Sequence, residues 1–196
     1  MALAHVRNEF GVLHRRLSRL RLELHGFDPN PLGVKLAAAM LKSRGLDVAL
    51  HAEARALPTS YFDRVICTEV IEHASSPRAL IEEVWRVLRP GGRAVFTTPI
   101  RITEVPEDPN HVREWFPSEF VELFTGSPMR MIEYLQMVPV AAPEVYFWRP
   151  PVFGRVPVFR LLCNALSICA GVNATSWLRM RPRMFMVQIA VVERPR

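Results

Sequence analysis

The stretch ALIEEVWRVLRPGGRAVFTTP (Ala79–Pro99) changes its hydrophobic period once, at RPGG. Before that point Leu80, Ile81, Val84, Val87 and Leu88 recur at helical spacing and make one apolar stripe. Ser76-Pro77 opens this helix, and Glu82 and Arg86 sit four apart on its polar side. Arg89-Pro-Gly-Gly92 is expected to stop the helix, and Arg93–Pro99 to follow as a strand. Just upstream, Arg64–Val70 is an apolar run that predicts a buried strand. Strand, helix and strand joined by short connections predict a parallel pair with the helix packed across it.

The same alternation extends in both directions. Residues 22–27 (LELHGF) and 47–52 (DVALHA) predict two more strands. Between them Asn30 and Pro31 start a helix with Leu32, Leu36 and Met40 on one face, ended at Gly45. Phe10, Leu13, Leu17 and Leu20 predict an amphipathic helix over about 9–20. Downstream come a polar loop, a helix from Pro117 to Phe124, a strand near 130–137 and a last strand near 183–193. The segment 139–178, rich in proline, aromatics and leucine, interrupts this order as an insertion within one expected domain. The fold class is therefore α/β, a doubly wound and mostly parallel sheet. In such sheets ligands bind beyond the carboxyl ends of the strands, where Asp28, Glu53 and Glu69 fall.

With 196 residues and 49% hydrophobic content the chain can bury a sizeable core. The net charge of +6 comes from arginines scattered through every segment, with Lys35 and Lys42 the only lysines, so no basic tract marks a nucleic-acid partner. Cys67, Cys163 and Cys169 lie in apolar runs without C-x-x-C spacing and are expected as reduced core thiols. The first residues lack the apolar core of a signal peptide, and Leu161–Val172, broken by Asn164 and Ser167, is well short of the ~20 residues that cross a bilayer. A cytoplasmic location is expected.

FDPNP, AEARALP, YFDRVICTEVIEH, ALIEEVWRVLRPGGRAVFTTP and HVREWFPSEF, in that order, resemble the class I S-adenosylmethionine-dependent methyltransferases of the small-molecule, type 11 kind. The resemblance covers about Gly11 to Met137 and the last strand, which it implies is antiparallel. It implies S-adenosylmethionine as cofactor and O- or N-methylation of a metabolite, sugar, quinone or lipid-like acceptor. Asp28, followed by Pro29, takes the place of the acid that accepts the ribose hydroxyls; a turn residue before proline is the plainer alternative. Glu53 and Ala54 align with the pair that meets the adenine edge, and Cys67, Thr68 and Glu69 with the strand end lining the methyl-bearing pocket. No nucleic-acid partner is expected, because the asparagine/aspartate-Pro-Pro-aromatic motif of base methyltransferases does not occur.

His73 and His111 are the candidate catalytic residues. An imidazole near neutrality can take the proton of an acceptor hydroxyl, while a capping or packing role stands beside that reading for either. Glu69, Glu72 and His73 could instead ligate a metal. However, positions 69 and 72 share a face only once a helical turn begins, and the family's E-V-x-E-H needs no metal; none is expected.

The resemblance fails at the family's glycine-rich loop. Aligned there, AHVRNEFG (4–11) keeps only Gly11, with Arg7 and Glu9 at other glycine positions and His5 where an acid is usual. At most Met1–Val6 remain for the first strand, central in such a sheet. A truncated reading frame, a degenerate homologue serving as a binding or regulatory module, and a short first strand with an unusual loop are the three explanations. The 139–178 insertion reads as a core helix pair, a substrate cap, or an apolar patch in peripheral contact with a membrane.

Overall fold

The computed structural model describes residues 23–45, 47–102, 104, 106, 108–140, 148, 158–170 and 184–196. The helix expected over 9–20, the strand expected within 1–6, and Gly11 lie outside the described residues.

The chain enters on β1 (His25–Phe27), crosses through α1 (Pro31–Ser43) and returns on β2 (Ala49–His51), parallel to β1 with His25 opposite Ala49. The helix starts where the sequence predicts. The Asn30 side chain accepts the Leu32 N–H at 3.0 Å, and Pro31 occupies the first turn, where its missing donor costs nothing. A second unit of the same kind is β3 (Phe62–Thr68), α2 (Pro77–Val87) and β4 (Leu88–Pro99), with β3 and β4 parallel. Ser76 caps α2 by accepting the Ala79 N–H. Leu80, Ile81, Val84 and Val87 are buried in one cluster with Val65, Cys67, Ala94 and Phe96 of the strands. Each such side chain contributes about 1.5–3 kcal/mol by leaving water.

RPGG does not separate the helix from the strand as expected. The strand begins at Leu88, directly after the last helical residue, and Arg89–Gly92 form an irregularity inside it, so the register jumps from Phe62–Leu88 to Arg64–Arg93. Gly91 donates to Arg194 O at 2.8 Å while Arg194 N donates to Gly92 O at 2.9 Å. Two residues thus face one, as in an antiparallel bulge. Gly91 has φ +79, and a Cβ on Gly92 would stand 2.8 Å from Arg89 O, so both positions exclude a side chain.

The remaining elements are α3 (Pro117–Thr125), β5 (Arg130–Val140), α4 (Val158–Ala170) and β6 (Met184–Glu193). One sheet has the order β3-β4-β6-β5, and β1-β2 form another. Among the described residues no strand joins the two. The chain divides into two compact units: residues up to Leu135 with Ile189–Arg196, and Gln136–Gln188. In the second, Val140 and Cys163 are buried with Phe159, Met184 and Met186 packed against them, while Leu161, Leu162 and Leu166 of α4 are exposed. Cys67 and Cys163 are buried as expected, but Cys169 is exposed. No helix among the described residues is long and apolar enough to cross a membrane.

Arg86 does not pair with Glu82 as the spacing suggests; Glu82 meets Arg78 at 3.7 Å. Instead Arg86 makes two hydrogen bonds to Glu83, at 2.6 and 2.9 Å, and donates to the carbonyls of Ala54 and Leu57 and to the Thr59 hydroxyl. It fastens the turn after β2 to α2. Arg86→Ala strips these acceptors of their donor and is expected to cost about 2 kcal/mol, measured as a lower urea midpoint with an unchanged slope.

Candidate functional site

The carboxyl end of β3 is built by strain and by one threonine. Glu69 has φ 51, a left-handed conformation unfavourable for a side chain of its size. Thr97, on the neighbouring strand, holds it there. Glu69 N donates to Thr97 O at 3.1 Å and to Thr97 Oγ1 at 3.2 Å, and that hydroxyl donates to Glu69 Oε1 at 3.0 Å. Cys67 points the other way, into the core, and burial pushes its thiol up to about 12. Thr68 and Glu69 are therefore the residues whose side chains stand partly open at this strand end.

A single 3₁₀ turn, Ile71–His73, follows. It leaves the Glu72 carbonyl outside any helix, and this oxygen accepts the N–H groups of Val112 (2.8 Å) and Arg113 (3.2 Å). The polar loop after β4 is thereby drawn back over the end of β3. It closes where Ile100 pairs with Trp115 and Arg101 N donates to Trp115 O. Trp115 is buried and stacks in series with Phe120, Phe124 and Phe96, with centroid separations of 5.2 to 6.2 Å. Glu119, in the first turn of α3, accepts the Phe116 N–H and fixes the start of that helix.

The folded loop brings His111 to His73, with ring centroids 4.9 Å apart, edge to face. His73 Nδ1 lies 3.0 Å from Asn110 O, and His111 Nδ1 lies 2.6 Å from Glu114 Oε1. Asp108 accepts both the backbone and the side-chain N–H of Asn110, which lowers its pKa and shapes the turn. Glu72 is fully buried beneath the two rings, and neither carboxyl oxygen has a hydrogen-bond partner. Burial first, then the Glu69 charge, raises its pKa to about 7; its own backbone N–H and the Thr98 hydroxyl, near but outside hydrogen-bond geometry, and His111 oppose the rise. Glu72, His73 and His111 each offer a ligand atom, all within 4.8 Å of one another. The sequence suggested Glu69, Glu72 and His73 for such a set, but Glu69 is engaged by Thr97 and His111 takes its place.

At the end of β1, Asp28 accepts the Asn30 N–H at 2.8 Å through Oδ1 alone. Its carboxyl group occupies the space a Cβ on Gly33 would fill, so Gly33 is the residue that admits it. Pro29 is exposed beside it. After β2, Glu53 is exposed and precedes the 3₁₀ turn Ala54–Ala56 without capping it. Sequence reasoning missed Gly33, Thr97, Glu114 and Arg86. The E-W after His111 and the G two residues past N-P could be read as support for His111 and Asp28 only once the loop path was known.

Residues 10–96 match the family model of a methyltransferase domain. The mitochondrial ubiquinone biosynthesis O-methyltransferase of Schizosaccharomyces pombe is 31% identical over 97 residues, 45% of this chain and 34% of that protein. A thiol S-methyltransferase of Mus musculus is 41% identical over 75 residues, 35% of this chain and 31% of that protein. The matched segment thus spans about a third of each relative's length. The crystal structure of the [4+2]-cyclase SpnF is 18% identical and covers 94% of this chain and 71% of that one, with a TM-score of 0.62, a likeness of fold.

The raised pKa of Glu72 gives a stability signature. The folded chain keeps this proton between about 4.5 and about 7, where the unfolded chain releases it. The stability it contributes is therefore full below about 4.5 and lost as pH rises through about 7. In chelator-treated protein, Glu72→Gln is expected to flatten the pH dependence of urea stability over that window and to be the more stable form above pH ~7, by up to about 3 kcal/mol. Parallel curves for the two proteins would show that Glu72 titrates normally.

Proposed function

Because residues 10–96 match the family model of a methyltransferase domain, we propose that the chain is a class I S-adenosylmethionine-dependent methyltransferase that transfers the methyl group of S-adenosylmethionine to a nucleophilic atom of a small-molecule acceptor. The observation that carries this reading is the histidine pair at the carboxyl end of β3, assembled from two segments nearly forty residues apart.

The donor set fits the cofactor. Among the described residues Asp28 Oδ2 accepts no hydrogen bond, it lies in a space that Gly33 leaves open, and a carboxylate there suits the paired hydroxyls of a ribose. Glu53, exposed and one turn before the loop that Arg86 fastens, suits an amine donor at the adenine edge. Thr68 and Glu69 border the methyl-bearing end. Gly11, the remaining candidate, lies outside the described residues.

When bound, S-adenosylmethionine supplies an electrophilic methyl group on a sulfonium. The chain's own part is to orient the acceptor and hold its proton. His73 is exposed and the His111 side chain is 12% exposed, so an acceptor entering from solvent would meet His73 first. The Asn110 carbonyl and the Glu114 carboxylate can only accept, so both Nδ1 atoms carry the hydrogen, and in the neutral imidazoles both Nε2 atoms present a lone pair. Such an Nε2 can take the proton of a hydroxyl or thiol as it attacks. The names of the relatives, an O-methyltransferase and an S-methyltransferase, support acceptors of that kind.

Titration calorimetry with S-adenosylmethionine tests the premise, and release of S-adenosylhomocysteine against phenolic, sugar and thiol acceptors tests the reaction. Asp28→Asn is expected to weaken cofactor binding ~10-fold or more, the worth of a charge-assisted hydrogen bond, and Glu53→Gln to weaken it less. A folded chain that gives no heat at millimolar cofactor would sink the proposal.

A further inference from the structure

We propose that Glu72, His73 and His111 form a binding site for a divalent transition-metal ion, with Asn110 and Glu114 orienting the two imidazoles. Three independent observations support it. The first is the buried carboxyl group: Glu72 is entirely removed from water, and among the described residues neither of its two carboxyl oxygens has a hydrogen-bond partner. A buried acid without donors is the signature of a missing positive group. The second is the tautomer. Each histidine spends Nδ1 on a fixed acceptor, at 3.0 Å for His73 and 2.6 Å for His111, which leaves Nε2 as a bare lone pair. This is the arrangement by which a carboxylate or carbonyl behind an imidazole sets it as a metal ligand. The third is proximity, with one donor atom from each of the three residues inside 4.8 Å.

An ion bonded at ~2.0–2.2 Å to each donor needs them about 3–4 Å apart. The remaining closure is within reach of His73, whose side chain is exposed and whose backbone ends a single turn. Two imidazoles and one carboxylate select borderline ions such as zinc, cobalt, manganese or ferrous iron over magnesium and calcium, which favour oxygen. Three protein ligands leave coordination positions open on the solvent side, where an acceptor oxygen or sulfur could bind. That last role rests on the methyl-transfer reading, and with both Nε2 atoms on the ion it would replace their action as bases by polarisation of the acceptor; the binding of the ion does not rest on that reading.

The same chain holds a second imidazole pair that serves as an internal control. His25 Nδ1 lies 3.0 Å from His51 Nε2 with the rings stacked, and Glu23 binds the other nitrogen of His25. There both nitrogens of His25 and Nε2 of His51 are engaged, by each other and by Glu23.

The test is a titration of chelator-stripped full-length protein with Co²⁺, followed by its visible ligand-field bands, with Zn²⁺ competition and Mg²⁺ as the comparison ion. One Co²⁺ per chain is expected, displaced by Zn²⁺ and unaffected by Mg²⁺. Glu72→Gln, a near-isosteric change that should fold, and His111→Ala are each expected to weaken Co²⁺ binding ~100-fold. Glu114→Gln, acting through His111, should weaken it ~10-fold. His51→Ala and Asp28→Asn should bind Co²⁺ as the parent does, the latter while losing cofactor affinity, so failure of the metal site and failure of the cofactor site are separately visible. The proposal is overturned if the parent protein shows no Co²⁺ bands. It is also overturned if folded Glu72→Gln and His111→Ala keep parent affinity, or if His51→Ala removes the binding.

Discussion

One carbonyl oxygen organises the candidate site. Because the turn after β3 lasts only three residues, the Glu72 C=O has no helical donor and must find one elsewhere. It finds two, the N–H groups of Val112 and Arg113, and so fixes the path of the loop between β4 and α3. The geometry then follows in sequence. Val112 and Arg113 lie between His111 and Glu114, so pinning them sets both of these side chains. The next residue, Trp115, closes the loop against Ile100 and anchors it in the aromatic series with Phe120, Phe124 and Phe96. A backbone hydrogen bond of ordinary strength thus decides where two histidines meet.

The same strand end carries two costs that a structure without a ligand-handling role would shed. Glu69 is held in a left-handed conformation, and Glu72 is buried as an acid with no donor to its carboxyl group. Strain of the first kind persists only where the surroundings over-determine it. Here the parallel pairing of β3 with β4 places Thr97 where its carbonyl and hydroxyl both engage Glu69 N. The burial of Glu72 is enforced in the same way, by its place beneath the histidines and beside fully buried Ile71 and Thr98. Both costs fall at the carboxyl ends of parallel strands, the location that ligands favour in sheets of this kind.

Much of the scaffold could be read from the sequence because its signals are local. Asn30-Pro31 and Ser76-Pro77 cap their helices as their chemistry dictates, and the stripe from Leu80 to Val87 is the core face of α2. The RPGG segment misled because its composition is that of a turn, whereas pairing with Arg194, more than a hundred residues away, keeps it within the strand. Arg86 misled in a similar way: the helical spacing offered Glu82, but Glu83 and three acceptors from the 54–59 segment outcompeted it. At the site, His73 and His111 were identifiable as candidates by residue type. Their contact, the replacement of Glu69 by His111 in the cluster, and the support from Glu114 depend on a loop path that no local pattern encodes.

Arg86 also bears on how the two ends of the proposed site are held together. Asp28 and Glu53 belong to the β1-β2 sheet, whereas the histidine cluster belongs to the sheet of β3 and β4. Among the described residues no strand links them, so their alignment rests on side chains. Phe27 and Leu57 supply the apolar part, buried in the same cluster as α2 and the β3-β4 strands. Arg86 supplies the directional part, since its guanidinium reaches the carbonyls of Ala54 and Leu57 from a helix packed on β3 and β4. Apolar packing resists separation but tolerates sliding, while hydrogen bonds to fixed carbonyls resist sliding. The position of Glu53 relative to the histidines is therefore set chiefly by a residue that touches neither.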